Sequence, residues 1–132
     1  ADSLTGRDQA GATQVAARHD DLESLVASGS ADAKTWFACG EARRAKGKFA
    51  EAADAYRECL NLDAYHRDAQ FALGVALASA QDADGLYSYL LDLIQRDAKI
   101  AVDVIESRQA QFCLHQTRFK QLAEEARSQA MD

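Results

Sequence analysis

The feature that most constrains the fold of this chain is an internal repeat of 34 residues. When residues 33–66 are aligned with residues 67–100, six positions are identical. These pairs are Phe37/Phe71, Ala38/Ala72, Gly40/Gly74, Ala42/Ala76, Asp63/Asp97 and Ala64/Ala98. The apolar pattern around the paired glycines is preserved as well. Internal periods of about 20–50 residues are typical of arrays in which each unit is one supersecondary element.

Each unit is predicted to contain two helices. In the first unit, one helical face over residues 33–46 carries Trp36, Cys39, Gly40 and Arg43. Gly47 follows the last turn of this helix, where a residue without a Cβ can adopt the left-handed conformation that ends a helix. Phe49 resumes the apolar pattern, and the buried face of a second helix then carries Ala52, Ala53, Tyr56, Cys59 and Leu60. In the second unit, the corresponding turn is expected at residues 81–85.

The spacing Trp36-x2-Cys39-Gly40-x2-Arg43, followed by Ala52-x3-Tyr56 and Ala64, resembles the tetratricopeptide repeat. Cys39 stands where leucine is usual in that family, Arg43 where tyrosine is usual, and Ala64 where proline is common. The second unit resembles the pattern less, because Gln70 replaces the tryptophan and Leu86 the small alanine. The resemblance implies an all-α solenoid of antiparallel helix pairs with about five to seven helices.

A single domain is expected over residues 1–132, in four parts. Residues 10–29 form an N-terminal helix or half-repeat, and residues 33–66 and 67–100 form the two repeats. Residues 101–130 form a degenerate third repeat or capping helices, with a break near residues 115–117. Because about three units are needed for a stable stack, the flanking helices must complete it.

Composition supports an all-α fold and excludes several classes of partner. Proline is absent and glycine numbers seven, so little interrupts the helix-forming sequence. A net charge of −6 argues against binding nucleic acid or an anionic membrane, and no apolar run approaches the roughly 20 residues that insert into a bilayer. Three cysteines without CxxC spacing fit buried thiols and a reducing, cytoplasmic setting, with the periplasm left open.

The sequence offers no arrangement that suits catalysis, a cofactor or a metal. His19, His66 and His115 are far apart and lack metal-ligand spacing. Paired carboxylates occur as Asp20-Asp21 and Glu124-Glu125, and the side chains of consecutive residues diverge by about 100° on a helix. The cysteines Cys39, Cys59 and Cys113 are expected to be small buried hydrophobes. We therefore expect no enzyme activity.

A concave groove is what the family resemblance implies as the functional surface. In tetratricopeptide domains the first helix of each unit lines a groove that holds a peptide or a partner helix. The matching positions of this chain are Lys34, Phe37, Glu41 and Arg44 in the first unit and Asp68, Phe71, Val75 and Ala78 in the second. A third unit would continue the row with Val102, Ile105 and Gln109. The set lacks the Lys/Asn/Arg combination by which one subset of the family grips acidic tails.

Phe37 and Phe71 are the most informative of these positions, because exposed aromatic side chains at repeated spacing favour a hydrophobic binding strip. Packing of the flanking helices against them is the alternative. A local basic run, Arg43, Arg44, Lys46 and Lys48, is either solvent cover at a helix end or a contact for an acidic partner.

Three functions follow as hypotheses. The first is a non-catalytic adaptor or scaffold that binds another protein, as a peptide or a helix, through the Phe37/Phe71 groove. The second is a bacterial secretion-type chaperone for a hydrophobic export substrate. The third is an accessory domain of a larger enzyme or assembly factor, with which the missing initiator methionine is compatible. An exposed groove could equally mediate self-association.

Overall fold

A computed structural model describes residues 21–131, and this part of the chain consists of helices joined by turns and short links, without a strand. The helices are α1 (described over residues 21–27), α2 (Ala33–Ala45), α3 (Phe49–Leu62), α4 (Arg67–Ser79), α5 (Ala83–Glu106) and α6 (Thr117–Met131). A 3-10 helix, Arg108–Phe112, lies between α5 and α6. The all-α prediction is confirmed for these residues. Of the predicted N-terminal helix, residues 10–20 lie outside the described residues.

From α2 to α6, the helices pack mainly against their neighbours in sequence. The main interfaces are α2 with α3, α3 with α4, α4 with α5, and α5 with α6, while the 3-10 helix packs on α4 and α5. Only three residues separate α2 from α3, and three separate α4 from α5. Because such a short link between two packed helices reverses the chain, each of these pairs is an antiparallel hairpin.

The helix boundaries of residues 33–66 recur 34 residues later. Helix α2 spans residues 33–45 and α4 spans residues 67–79, so both ends are displaced by 34. Helices α3 and α5 begin at residues 49 and 83, which differ by the same number. Asp63 ends α3 with φ −142° and ψ 88°, and Asp97 has φ −157° and ψ 90° inside α5. Helix α5 therefore consists of two helical segments that meet at Asp97.

The first inter-helix turn is built around Gly47. The φ of Gly47 is +77°, in the left-handed region that glycine tolerates best. Its N–H donates to the carbonyl of Arg44 at 2.9 Å, and the N–H of Lys48 donates to the carbonyl of Arg43 at 3.0 Å. These two bonds define a Schellman motif, which satisfies carbonyls that the end of a helix would otherwise leave unpaired.

The same motif recurs at Gln81, 34 residues beyond Gly47. Gln81 has φ +57°, and its N–H donates to the Ala78 carbonyl at 3.0 Å, while the Asp82 N–H donates to Leu77 at 3.1 Å. The turn is shorter than the expected residues 81–85, because α5 already begins at Ala83. An Asp82 carboxylate oxygen accepts a bond from the Gly85 N–H at 2.9 Å and so caps the new helix.

The core runs through the helix interfaces. Its largest fully buried side chains include Tyr56, Phe119, Leu86, Leu90 and Leu93. Gly40 lets the Tyr56 ring of α3 lie close to the backbone of α2, because a Cβ at this position would be 2.5 Å from the ring. A larger residue there would force the ring, and with it α3, away from α2.

The three cysteines are buried and free, as the sequence suggested. Burial raises the pKa of Cys39 to about 11 and that of Cys59 to about 11, and it also raises the pKa of Cys113. Neutral buried thiols are poor nucleophiles. They serve here as small packing residues.

Residues 101–131 depart most from the repeat. The expected break near residues 115–117 is present, since α6 begins at Thr117. A second break was not expected: α5 ends at Glu106, and Ser107 adopts an extended conformation before the 3-10 helix. The second part of α5, residues 98–106, is therefore short. It follows directly from Asp97, without the linking residues that separate α3 from α4.

Candidate functional site

Two adjoining hollows form one groove across α2, α4 and the part of α5 that follows Asp97. The apolar hollow has a volume of about 320 Å³ and is lined by Phe37, Glu41, Arg44, Asp68, Phe71, Ala72 and Val75. The acidic hollow has a volume of about 500 Å³ and is lined by Arg67, Asp68, Phe71, Ile100, Asp103, Glu106 and Ser107. Because Asp68 and Phe71 border both hollows, the two form a single continuous surface, called the groove below.

The two phenylalanines differ in how much they offer to a partner. Phe71 is 40% exposed and stands where the two hollows meet. Phe37 is half-buried, because its ring is covered by two neighbours. It stacks on His66 at a centroid distance of 4.9 Å and is tilted against Tyr56 at 5.7 Å. Phe71 is therefore the accessible aromatic of the groove, and Phe37 forms part of its wall.

A hydrogen-bonded trio forms the edge of the apolar hollow. The Tyr56 hydroxyl donates to one oxygen of Glu41, and the Arg44 guanidinium donates to the other at 3.0 Å. Partial burial acts to raise the pKa of Glu41, but the bonds from Arg44 and Tyr56 outweigh it and leave this pKa below its ordinary value. Burial, followed by the nearby carboxylate, raises the pKa of Tyr56. The trio therefore contains an ionised Glu41 carboxylate whose negative charge is balanced by the Arg44 guanidinium.

His66 supports the wall of the groove by holding Phe37 in place. It is the N-cap of α4, and its Nδ1 accepts a hydrogen bond from the Ala69 N–H at 3.0 Å. This bond fixes the ring so that it stacks against Phe37. His115 lies in the turn before α6, and His19 lies outside the described residues.

Two of the predicted groove residues lie elsewhere. Lys34 is exposed on α2 but lines neither hollow. Ala78 is only 1% exposed and belongs to the core, because α4 is covered by α3, α5 and the 3-10 helix. The remaining predicted residues, Phe37, Glu41, Arg44, Phe71 and Val75, all line the apolar hollow, as does Asp68.

The predicted third row of the groove is wrong. Ile105 is buried in the core. Val102 is partly buried and packs against the core, and Gln109 lies in the 3-10 helix. Asp103 and Glu106 line the groove instead. The second part of α5 begins directly after Asp97, earlier than the 34-residue spacing implies. It therefore turns a different face toward the groove. The one signal in the sequence was Asp97 itself, whose carboxylate accepts from the Ile100 N–H at 3.2 Å and caps this segment.

The basic run is largely occupied within the protein. Arg43 forms two hydrogen bonds with the carboxylate of Glu23 on α1, at 2.8 and 2.9 Å, and donates to the Glu51 carbonyl of α3 at 2.9 Å. The bond to Glu23 is the main cause of the raised pKa of Arg43. Arg43 therefore joins α1, α2 and α3. Only Lys46 and Lys48 remain as exposed cations of this run without an ion pair in the described part.

Comparison of the chain with protein-family models, curated proteins and solved structures gave no match. Across residues 21–131, no helix combines the length and apolar character that a membrane crossing requires. The same residues contain no group of three or more His, Cys, Asp or Glu side chains arranged to hold a metal ion.

Proposed function

We propose that this protein is a tetratricopeptide-type α-solenoid that works as a non-catalytic adaptor and binds a peptide or helix of another protein in the groove. The 34-residue recurrence of helix ends, Schellman turns and non-helical aspartates supports the solenoid. The packing of each helix mainly on its sequence neighbours fits it as well, since solenoid units contact only adjacent units.

The observation that carries the binding function is the exposure of Phe71 at the centre of the groove. A large aromatic side chain in an open, largely apolar hollow gains free energy when a partner covers it. Its neighbours Val75 and Ala72 extend the apolar floor, while Glu41 and Arg44 give the rim a polar edge. An apolar centre with a polar rim is the usual composition of a protein-binding surface.

A test of this proposal selects a phage-displayed library of random 16-residue peptides on the full chain. Selected peptides are synthesised and titrated against the Phe71→Ala variant. We expect this variant to bind them at least about tenfold more weakly, because it removes the main apolar anchor of the groove. Phe71 is preferred to Phe37 for this test, since Phe37 packs against Tyr56 and His66 and its removal would also destabilise the fold.

Leu91→Ala provides the matched control. Leu91 is 47% exposed, close to the value for Phe71, and it lines neither hollow of the groove. Peptide affinity should be unchanged in this variant, and both variants should keep the helical circular dichroism of the wild type. Selected peptides that bind Phe71→Ala as tightly as the wild type would contradict the proposed function.

A further inference from the structure

The groove carries an unequal set of charges. Four carboxylates, Glu41, Asp68, Asp103 and Glu106, line its two hollows, against the two guanidinium groups of Arg44 and Arg67. Glu41 and Arg44 pair with each other at 3.0 Å and cancel. Three carboxylates and one guanidinium then remain around the acidic hollow, which leaves a net charge of −2 beside the apolar floor.

These carboxylates are available to a ligand. Asp103 and Glu106 are exposed on the last turns of α5, and Asp68 is exposed in the first turn of α4. Within residues 21–131, Asp68 and Asp103 form no ion pair, and Glu106 has only a 4.0 Å approach from Arg127. Such a long, exposed pair contributes little, so a ligand cation can compete for Glu106 with almost no penalty.

The position of the charges relative to the apolar hollow restricts the ligand further. Asp68 and Phe71 lie one helical turn apart on α4 and border both hollows. A side chain placed on Phe71 is therefore adjacent to the carboxylates. The concave wall of low dielectric strengthens their attraction for a cation and their repulsion of an anion.

We infer that the groove selects a protein segment in which an apolar side chain, seated in the apolar hollow, lies close to a lysine or arginine that pairs with Asp68, Asp103 and Glu106. This inference rests on the proposed function, because it specifies what the adaptor binds. An acidic segment would leave like charges facing one another in the groove, and a purely apolar segment would desolvate three carboxylates without a partner.

The test uses the same random 16-residue peptide library on the full chain, followed by sequencing of the selected peptides. We expect them to combine an aliphatic or aromatic residue with a nearby lysine or arginine, and to lack Asp and Glu at neighbouring positions. The selection is then repeated on the Asp103→Lys/Glu106→Lys variant. The peptides chosen with the wild type should bind this variant at least about tenfold more weakly, and the new selection should favour acidic peptides.

Glu58→Lys/Glu125→Lys is the matched control. It changes the net charge by the same amount, at exposed positions on α3 and α6 that line neither hollow of the groove. A milder variant, Asp103→Asn/Glu106→Gln, keeps the test decisive if the charge reversal impairs folding. The wild-type affinity should fall as salt is added, and the neutral variant should show a clearly weaker salt dependence.

The outcomes separate the inference from the proposed function. If peptides depend on Phe71 but show no basic preference, and the charge variants bind them normally, the inference fails while the adaptor function stands. If no selected peptide depends on Phe71, the proposed function fails and the inference with it. If instead the full chain forms a dimer that Phe71→Ala abolishes, and no peptide competes with it, the occupant is a second copy and the inference is overturned.

Discussion

At the scale of single residues, the trio of Glu41, Arg44 and Tyr56 links the fold to the groove. Tyr56 is fully buried and fills the space that Gly40 leaves open between α2 and α3. Its hydroxyl reaches Glu41 at the rim of the apolar hollow. A residue that the sequence marks as packing therefore also fixes the orientation of a rim carboxylate.

The trio predicts a pH-dependent contribution to stability. Because the pKa of Glu41 is lower in the folded state, its contribution is present above the unfolded pKa and is lost as the pH falls through the folded pKa. At pH 7, Glu41→Gln should lower the free energy of unfolding by about 1 kcal/mol at most, since the half-exposed carboxylate is screened by water. The difference from wild type should shrink between about pH 5 and pH 3.

Urea denaturation of both proteins at several pH values measures this difference. Glu58→Gln controls for the loss of one charge, because Glu58 is exposed and forms no hydrogen bond or ion pair in the described part of the chain. A wild-type advantage that stays constant down to pH 3 would exclude an ionised Glu41 as its source.

Single residues also show where prediction from sequence fails. Phe37 and Phe71 occupy matching positions, yet one stacks on His66 and the other is exposed, because the neighbour that covers Phe37 is a helix cap that the repeat pattern does not encode. Ala78 matches Arg44 in the alignment but is buried, since burial depends on which helices lie on both sides of α4. Spacing gives the face of a helix, and the neighbouring helices decide its exposure.

At the scale of elements, the most reproducible feature is the turn between the helices of each pair. Gly47 was predictable, because glycine after a helical pattern signals a left-handed C-terminal residue. Gln81 adopts the same conformation without that advantage, and its turn was located only approximately from the sequence. The backbone geometry of the turn is therefore imposed by the packing of the two helices as well as by glycine.

Substitutions in these turns should have opposite effects on stability. Gln81→Gly should raise the free energy of unfolding by about 0.5–1 kcal/mol. It removes the Cβ that makes the left-handed backbone conformation of Gln81 unfavourable. Gly47→Ala should lower the free energy of unfolding by about 1 kcal/mol, because the added Cβ meets nothing within 4 Å beyond the adjacent residues and only the left-handed backbone is strained. Thermal and urea unfolding measure both changes.

Gln81→Ala is the matched control for the turn, because it removes the side-chain amide but keeps the Cβ. It should leave stability within about 0.5 kcal/mol of wild type. A Gln81→Gly variant that is less stable than Gln81→Ala would show that the left-handed conformation is not what limits this turn.

The junction at Asp97 is the element that sequence reasoning missed. In the first unit, four residues separate α3 from α4, whereas the second unit passes directly into the next helix. No glycine or proline marks this change. It alters the face presented to the groove, so that Asp103 and Glu106 replace Val102 and Ile105 there. The acidic half of the groove therefore became visible only in the folded chain.

At the scale of the whole molecule, the groove is a surface that the packing of α2, α4 and α5 leaves open. It is formed by α2, α4 and the part of α5 that follows Asp97, and its net charge follows the acidic character of the chain. The overall charge of −6 is known from the sequence, but only the fold brings residues 68, 103 and 106 together. Fold class and helix pairing were predictable from the period, while the chemistry of the groove was not.

The central claim is that the groove, and not the outer helices, is the binding surface. Its most direct test is the change in ¹⁵N–¹H NMR amide shifts of the full chain when a selected peptide is added. We predict that the largest changes fall on α2, α4 and residues 98–106, with Phe71 and Asp103 among them. Amides of α3 and α6 should change little. Changes concentrated on α3 and α6 would contradict the account.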